Sequence, residues 1–289
     1  MRSSEPLVLP DDQQLTPKDH NLAFDGFQYV YPVVSRRAGG VSVGVNLSPN
    51  NACNWRCVYC QVPQLQRGAP TPVDLAQLEA ELAAMLREIL QGDFMRHHVA
   101  PDMRRLSDIA LAGNGEPTLS PQFADAVDTV LRQVDAFGLR GRLRIVLITN
   151  GSQMHREPVR DALRRLAAAG GEVWFKIDRG STEAIHRVNQ VRLTPERLRL
   201  QVARAVACCP TWIQTCMFCL NGALPDEAEL DAYLDLVGGL PGIQGVLLYG
   251  IARPPMQEEG KQVAPASDAW MRRLADRMRA RGLAVQLYC

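Results

Sequence analysis

From residue 41 to the C-terminus, short apolar runs rich in β-branched residues alternate with longer stretches whose apolar residues recur every three or four positions. Strands alternating with helices predict βα units feeding a parallel sheet, because a parallel neighbour is reached only through a crossover. The strand-like runs fall at 41–47, 109–112, 144–149, 172–177, 212–218 and 245–250, with a terminal strand at 284–288. Helices are predicted over 73–91, 121–137, 157–169, 195–207, 227–237 and 267–281. Several begin as helices should: Pro121 follows Ser120, Pro195 follows Thr194, and Asp226 precedes an acidic first turn. No repeat and no Gly/Ser linker interrupts the series. The expectation is an irregular N-terminal arm at 1–39 and one α/β domain at 40–289, a full or partial (β/α) barrel with its C-terminal extension.

Such barrels bind ligands at the C-terminal ends of their strands, so chemistry is sought just after each strand. The segment VNLSPNNACNWRCVYCQVP follows the first predicted strand and spaces Cys53, Cys57 and Cys60 as C-x3-C-x2-C. The compartment decides how such thiols are read. The opening residues lack the apolar core of a secretory signal, and nowhere do about 18 apolar residues run together as a membrane span requires. The expectation is a cytoplasmic protein with no membrane contact. In a reducing compartment clustered cysteines bind metal or do redox chemistry rather than form disulfides.

Thiolates are the preferred ligands of iron–sulfur clusters, and a short loop can present three of them to a cubane while one iron stays open. Two other readings compete. One is a zinc site completed from elsewhere, although the loop lacks a second close ligand pair. The other is a thioredoxin-like pair at Cys57 and Cys60, although that motif needs no third cysteine upstream.

The pattern C-x3-C-x-aromatic-C, with Tyr59 as the aromatic, resembles the radical SAM superfamily. That resemblance implies a partial (β/α)6 barrel, a [4Fe–4S] cluster on Cys53, Cys57 and Cys60, and S-adenosylmethionine chelated to the open iron. Reductive cleavage would then give a 5′-deoxyadenosyl radical, with Tyr59 contributing a backbone contact to the adenine. GNGEPTL, LITNGS, WFKIDRGSTEAIHRVNQ, WIQTCMF and LLYGIARPP extend the likeness over residues 35–255. Within the superfamily they most resemble the branch of wybutosine-type tRNA-modifying enzymes and their uncharacterised bacterial relatives.

Later strand ends carry the remaining candidates. Gly113, Asn114, Gly115 and Glu116 follow the second strand, where glycines admit close backbone approach and a carboxylate can accept from an ammonium group. This is similar to the family's GGE motif, which holds the methionine amino group, with Asn114 in place of the second glycine. A plain turn is the competing reading there, as it is for Asn150. Lys176 and Asp178 alternate onto one face of their strand, so Asp178 and Ser181 are candidates for a ribose or carboxylate contact, against a structural Lys176–Asp178 pair. Arg36, Arg37, Gln214 and Arg253 are expected to include further contacts.

Cys208, Cys209, Cys216, Cys219 and Cys289 leave an auxiliary cluster open, although residues three apart on a strand point to opposite faces. His97 and His98 are read as an exposed loop or helix end. An external one-electron donor such as flavodoxin or ferredoxin is implied, since the sequence shows no flavin or nicotinamide motif. Net charge of only +1, from 32 basic and 31 acidic residues, gives no field toward polyanions. An RNA base or nucleotide is therefore not favoured over a small metabolite or peptide as substrate, and the arginine pairs are read as solvated helix faces. A non-catalytic metal-binding or electron-transfer protein is the alternative outside the enzyme class.

Overall fold

The computed structural model describes residues 15–16 and 26–288. In chain order the strands are β1 (Val30–Ser35), β2 (Gly40–Val45), β3 (Ala52–Cys53), β4 (Gln66–Arg67), β5 (Leu106–Leu111), β6 (Arg144–Thr149), β7 (Glu172–Lys176), β8 (Thr211–Leu220), β9 (Gly245–Gly250), β10 (Val263–Pro265) and β11 (Val285–Tyr288). The helices are α1 (Leu75–Gln91), α2 (Phe94–His98), α3 (Phe123–Ala136), α4 (Glu157–Ala168), α5 (Thr182–Asn189), α6 (Pro195–Val206), α7 (Glu227–Gly238) and α8 (Asp268–Ala280). The main sheet runs β1-β2-β5-β6-β7-β8-β9-β11, with β10 pairing β8 off that path. Every neighbour from β2 onward along the path is parallel. Six crossovers thus join the parallel strands, which is the expected partial (β/α)6 barrel.

The sheet curls. Tyr31 of β1 and Tyr288 of β11, on opposite edge strands, line one cavity. Strand periodicity sorts the residues on either side of it. On β2, Val41, Val43 and Val45 are fully buried beneath the helices, whereas Ser42 and Gly44 face the cavity. The helices cover the outer face with stripes such as Leu78, Leu82, Met85 and Leu86 of α1, all fully buried. Asp74 caps α1 by accepting from the backbone N–H groups of Ala76 and Gln77, and Ser181, Thr194, Asp226 and Ser267 cap later helices in the same way.

Three expectations change. The arm predicted as irregular contains β1, which pairs antiparallel with β2 from Val30–Val45 to Ser35–Gly40. Its anchor is long-range: the Glu81 carboxylate of α1 accepts from the backbone N–H groups of Gln28, Tyr29 and Val30 at 3.0, 2.8 and 3.1 Å. His98 closes α2 but is buried, its ring 5.3 Å from that of Phe94, rather than exposed like His97. Among the arginine pairs, Arg104 and Arg105 precede β5 and donate to the Val99, Arg96, Gly39 and Ala38 carbonyls, so they fasten turns instead of solvating a helix. Arg164 and Arg165 do lie on a helix, paired with Glu157, Asp161 and Asp128.

Replacing Glu81 with leucine strands those backbone donors in a buried setting. Glu81→Leu should lower unfolding stability by roughly 3 kcal/mol or more, measured by urea denaturation. A loss below about 1 kcal/mol would mean that β1 is held by strand pairing and apolar contacts alone.

Candidate active site

The cysteine loop leaves β2 at the C-terminal rim and is shaped from several sides. The two-residue strands β3 and β4 pair parallel and close it at Cys53 and Arg67. The C-terminal end of α5 supplies two carbonyls, with Arg56 N donating to Asn189 O at 3.2 Å and Val58 N to Val188 O at 2.9 Å. On the far side Met256 N donates to Cys60 O at 2.8 Å, and Gln257 Nε2 donates to Val62 O at 2.8 Å. Asn51 takes the left-handed conformation, φ 56°, where asparagine is tolerated.

Cys53, Cys57 and Cys60 all line one cavity of about 720 Å³. Burial pushes the Cys53 and Cys57 thiols up to about 12 and raises Cys60 as well. All three lie on one short loop and border the same cavity. Among the described residues no three His, Cys, Asp or Glu side chains gather closely enough to hold a single ion. A cubane requires no such gathering, because each of its irons takes a separate thiolate. Three thiols on one loop bordering one cavity have the donor chemistry a cluster needs.

Beside that loop stands Gly113–Glu116. Gly113 has φ 139°, and a Cβ at Gly115 would run into the Ala52 carbonyl of the cysteine loop, so glycine is required where the two loops meet. Asn114 N donates to Asn46 Oδ1 at 3.1 Å and its Nδ2 to Asn51 Oδ1 at 2.8 Å, which ties this loop to the rim of β2. Glu116, 2% exposed, accepts from Thr118 N and Oγ1, Thr149 Oγ1 and Asn150 N. Burial, the largest influence, holds its pKa above the ordinary carboxylate value against the pull of those donors. Three of the four bonds fall on Oε1, so Oε2 keeps acceptor capacity toward the cavity that Glu116 lines. Asn150 also lines it and donates from Nδ2 to Asn54 Oδ1 at 2.9 Å, inside the cysteine loop.

Asp178 and Ser181 do not line this cavity, which corrects the expectation that they face a ribose or carboxylate. Asp178, 1% exposed, is taken by three donors: Tyr59 Oη at 2.5 Å, Asn189 Nδ2 at 2.8 Å and Cys216 N at 2.9 Å. Its role is to lock Tyr59, and with it the cysteine loop, onto β7 and β8. Ser181 spends its hydroxyl accepting from Ala184 N as the cap of α5. No Lys176–Asp178 ion pair forms among the described residues. Lys176 turns into the cavity, its Nζ 5.1 Å from the Tyr59 ring centroid and 3.2 Å from Tyr249 Oη.

Sequence reasoning missed Asn189, whose Nδ2 also donates to Cys57 Sγ at 3.3 Å, because α5 was not foreseen as a separate helix. Its signal was the run STEAIHRVN, a cap followed by an amphipathic turn. Arg36, Arg37, Gln214 and Arg253 all line the cavity, as does Cys216. Among the described residues, Cys208, Cys209, Cys216 and Cys219 do not gather into a second site. Cys208 and Cys209 precede β8, at the opposite end of the barrel from the cysteine loop, and Cys219 lies three residues from Cys216 on β8. Cys289 is outside the described residues.

A partial parallel barrel whose C-terminal rim presents three cysteines, a glycine-rich acidic loop and an adjoining cavity defines a class of α/β barrel proteins with a thiol-bearing rim. The chain belongs to the Radical SAM superfamily, whose family model matches residues 47–229, well over half of it. Among solved structures it is similar to a radical SAM methyltransferase from Sphaerobacter thermophilus, at 17% identity and a TM-score of 0.63, covering 91% of this chain and 70% of that one. Among curated proteins it is 26% identical to UPF0026 protein slr1464 of Synechocystis sp. over 165 residues, 57% of this chain and 53% of that protein. It is also 26% identical to a protein named GTPase Obg of Brachyspira hyodysenteriae over 161 residues, 56% of this chain and 20% of that protein. The chain thus spans between a fifth and about half of the length of these curated relatives. Among the described residues no helix is long and apolar enough to cross a membrane.

The raised thiol pKa values have a direct readout. Thiolate, not thiol, attacks alkylating reagents, and each unit of upward shift cuts its fraction tenfold. In metal-free protein at pH 8, iodoacetamide should label Cys53 and Cys57 at least roughly a hundredfold more slowly than a free cysteine peptide, followed by quenched mass spectrometry. Rates equal to the peptide's would contradict the closed, protonated loop.

Proposed function

We propose that Cys53, Cys57 and Cys60 ligate a [4Fe–4S] cluster and that the protein is a radical SAM enzyme acting on a substrate bound in the same cavity. Held by these residues, the cluster would supply the one electron needed for reductive cleavage of S-adenosylmethionine at its sulfur–C5′ bond, to methionine and a 5′-deoxyadenosyl radical. One observation carries the reading: the three thiols, the Gly113–Glu116 loop and Asn150 border a single cavity.

Each residue's part follows from its contacts. Glu116 would take the methionine ammonium on its less occupied Oε2, and the glycines beside it let the cofactor lie against backbone. Asp178 and Asn189 hold Tyr59 and Cys57 in place, so the cysteine loop does not have to reorder when the cluster is inserted. Burial of the loop keeps water from the reacting groups. A separate one-electron donor, such as flavodoxin or ferredoxin, would supply the reducing equivalent. The substrate is read as small, since about 720 Å³ must hold the cofactor too. The lining cations Arg36, Arg37, Lys176 and Arg253 support a negatively charged one.

Anaerobic reconstitution with iron and sulfide, followed by dithionite and S-adenosylmethionine, tests this. The wild-type protein should form 5′-deoxyadenosine, detected by chromatography with mass spectrometry. Cys57→Ala should reduce it to the level seen without protein. A chain that takes up the cluster yet produces no 5′-deoxyadenosine would be a metal-binding or electron-transfer protein instead.

A further inference from the structure

Inside the barrel a ladder of alternating rings and cations runs away from the cysteine loop. Lys176 Nζ lies 5.1 Å from the Tyr59 ring centroid and 5.8 Å from that of Tyr249. Arg37 Cζ lies 4.7 Å from the Tyr249 centroid and 5.5 Å from that of Trp174. Trp174 is on β7 and Tyr249 on β9, so the guanidinium spans the strand between them, β8. The β8 residue in register with Lys176 is Gln214. It lines the same cavity, is 1% exposed, and its Nε2 has no hydrogen-bond partner.

Two features of this inner lobe need explaining. An amide donor buried without a partner is unfavourable, and Gln214 is in that position. Arg37 is half-buried and makes neither a hydrogen bond nor an ion pair among the described residues, although guanidinium carries five donors. The two rings hold it by cation–π attraction, and its N–H groups have no hydrogen-bond partner among the described residues. Asp108, the carboxylate in this lobe, accepts from the Ser42 hydroxyl and feels the charge of Arg37 but forms no ion pair with it among the described residues; burial holds its pKa above the ordinary value. Lys176 already donates to Tyr249 and stands nearer the cysteine loop.

We propose that Arg37 and Gln214 form an oxyanion subsite, and that the substrate is a small molecule whose carboxylate or phosphate binds there while its reacting carbon points back along the ladder toward the cysteine loop. An oxyanion of either kind accepts two parallel N–H bonds from a guanidinium edge and a third from an amide. Trp174 and Tyr249 would give the rest of the molecule apolar walls. The meaning of this subsite as a substrate site rests on the radical SAM reading above, but its anion chemistry can be measured separately.

The test uses protein reconstituted with its cluster and saturated with S-adenosylmethionine, so that the cofactor's own carboxylate site is filled. Benzoate and phenyl phosphate are titrated at low salt by ligand-observed NMR, with neutral benzamide as the control. At least one of the two anions should bind saturably at roughly millimolar concentration, and benzamide should bind at least tenfold more weakly. The tighter anion identifies the headgroup. Arg37→Gln should weaken that anion by roughly tenfold or more, Gln214→Leu by about threefold to tenfold, and Arg37→Lys should fall between wild type and Arg37→Gln, since it keeps the charge without the planar fork. Melting temperatures check that each variant is folded, and Gln214→Leu, which removes no charge, stands in if an Arg37 variant fails to fold. Equal binding of benzamide and benzoate, or anion binding indifferent to both positions, overturns the subsite. Formation of 5′-deoxyadenosine by the same wild-type preparation reports separately on the radical SAM reading, so either can fail without the other.

Discussion

A carboxylate removed from water has to be satisfied by donors, and at this barrel's rim that requirement is met by drawing loops together. Glu116 accepts from the loop after β5 and from the loop after β6. Asp178 accepts from the cysteine loop, the end of α5 and the backbone of β8. Each is buried almost completely, so each fixes the relative position of loops that are far apart in sequence. The three cysteines sit on a segment with almost no regular structure of its own, and these two acids, with Asn46, Asn150 and Asn189, supply the geometry that segment lacks.

The same economy governs the barrel interior. Strand alternation puts Val41, Val43 and Val45 of β2 outward, under the helices, and gives the inner face many small, polar and aromatic residues beside a few aliphatic ones such as Val146, Ile148 and Leu247. A packed barrel would fill that space with branched aliphatic side chains. Here Gly44 gives room to the Tyr31 ring, and Ser42, Ala110 and Ala112 keep the floor low. Of the cations that edge the remaining volume, Arg37 and Lys176 are held against rings and form no ion pair among the described residues. Charges kept this way remain available to a ligand, because cation–π contact occupies the face of a guanidinium and not its N–H edges.

Much of the architecture was legible from local pattern. Period-two runs and amphipathic stretches located the parallel strands and most helices because each obeys a rule that acts within a dozen residues, whether capping, strand alternation or helical spacing. Where the rule fails to be local, the reading failed too. The strand at 30–35 is fastened by Glu81, some fifty residues downstream, and no nearby signal announces that contact. The burial of His98 depends on its ring meeting Phe94 and on the chain that packs over it.

For the site, the sequence by itself picked out the residues that come to border the cavity, because C-x3-C-x2-C and the glycines before Glu116 are each contiguous runs at strand ends. The assignment of everything that supports them belonged to the tertiary structure. From sequence Asp178 and Ser181 looked like ligand contacts, since both follow a barrel strand. In the fold one locks Tyr59 and the other caps a helix, while Asn189, Gln214 and Arg37 take positions that matter to the cavity. The physical reason is that a polar side chain's role is set by which donors and acceptors surround it once water is gone, and those neighbours come from strands and loops that only folding brings together.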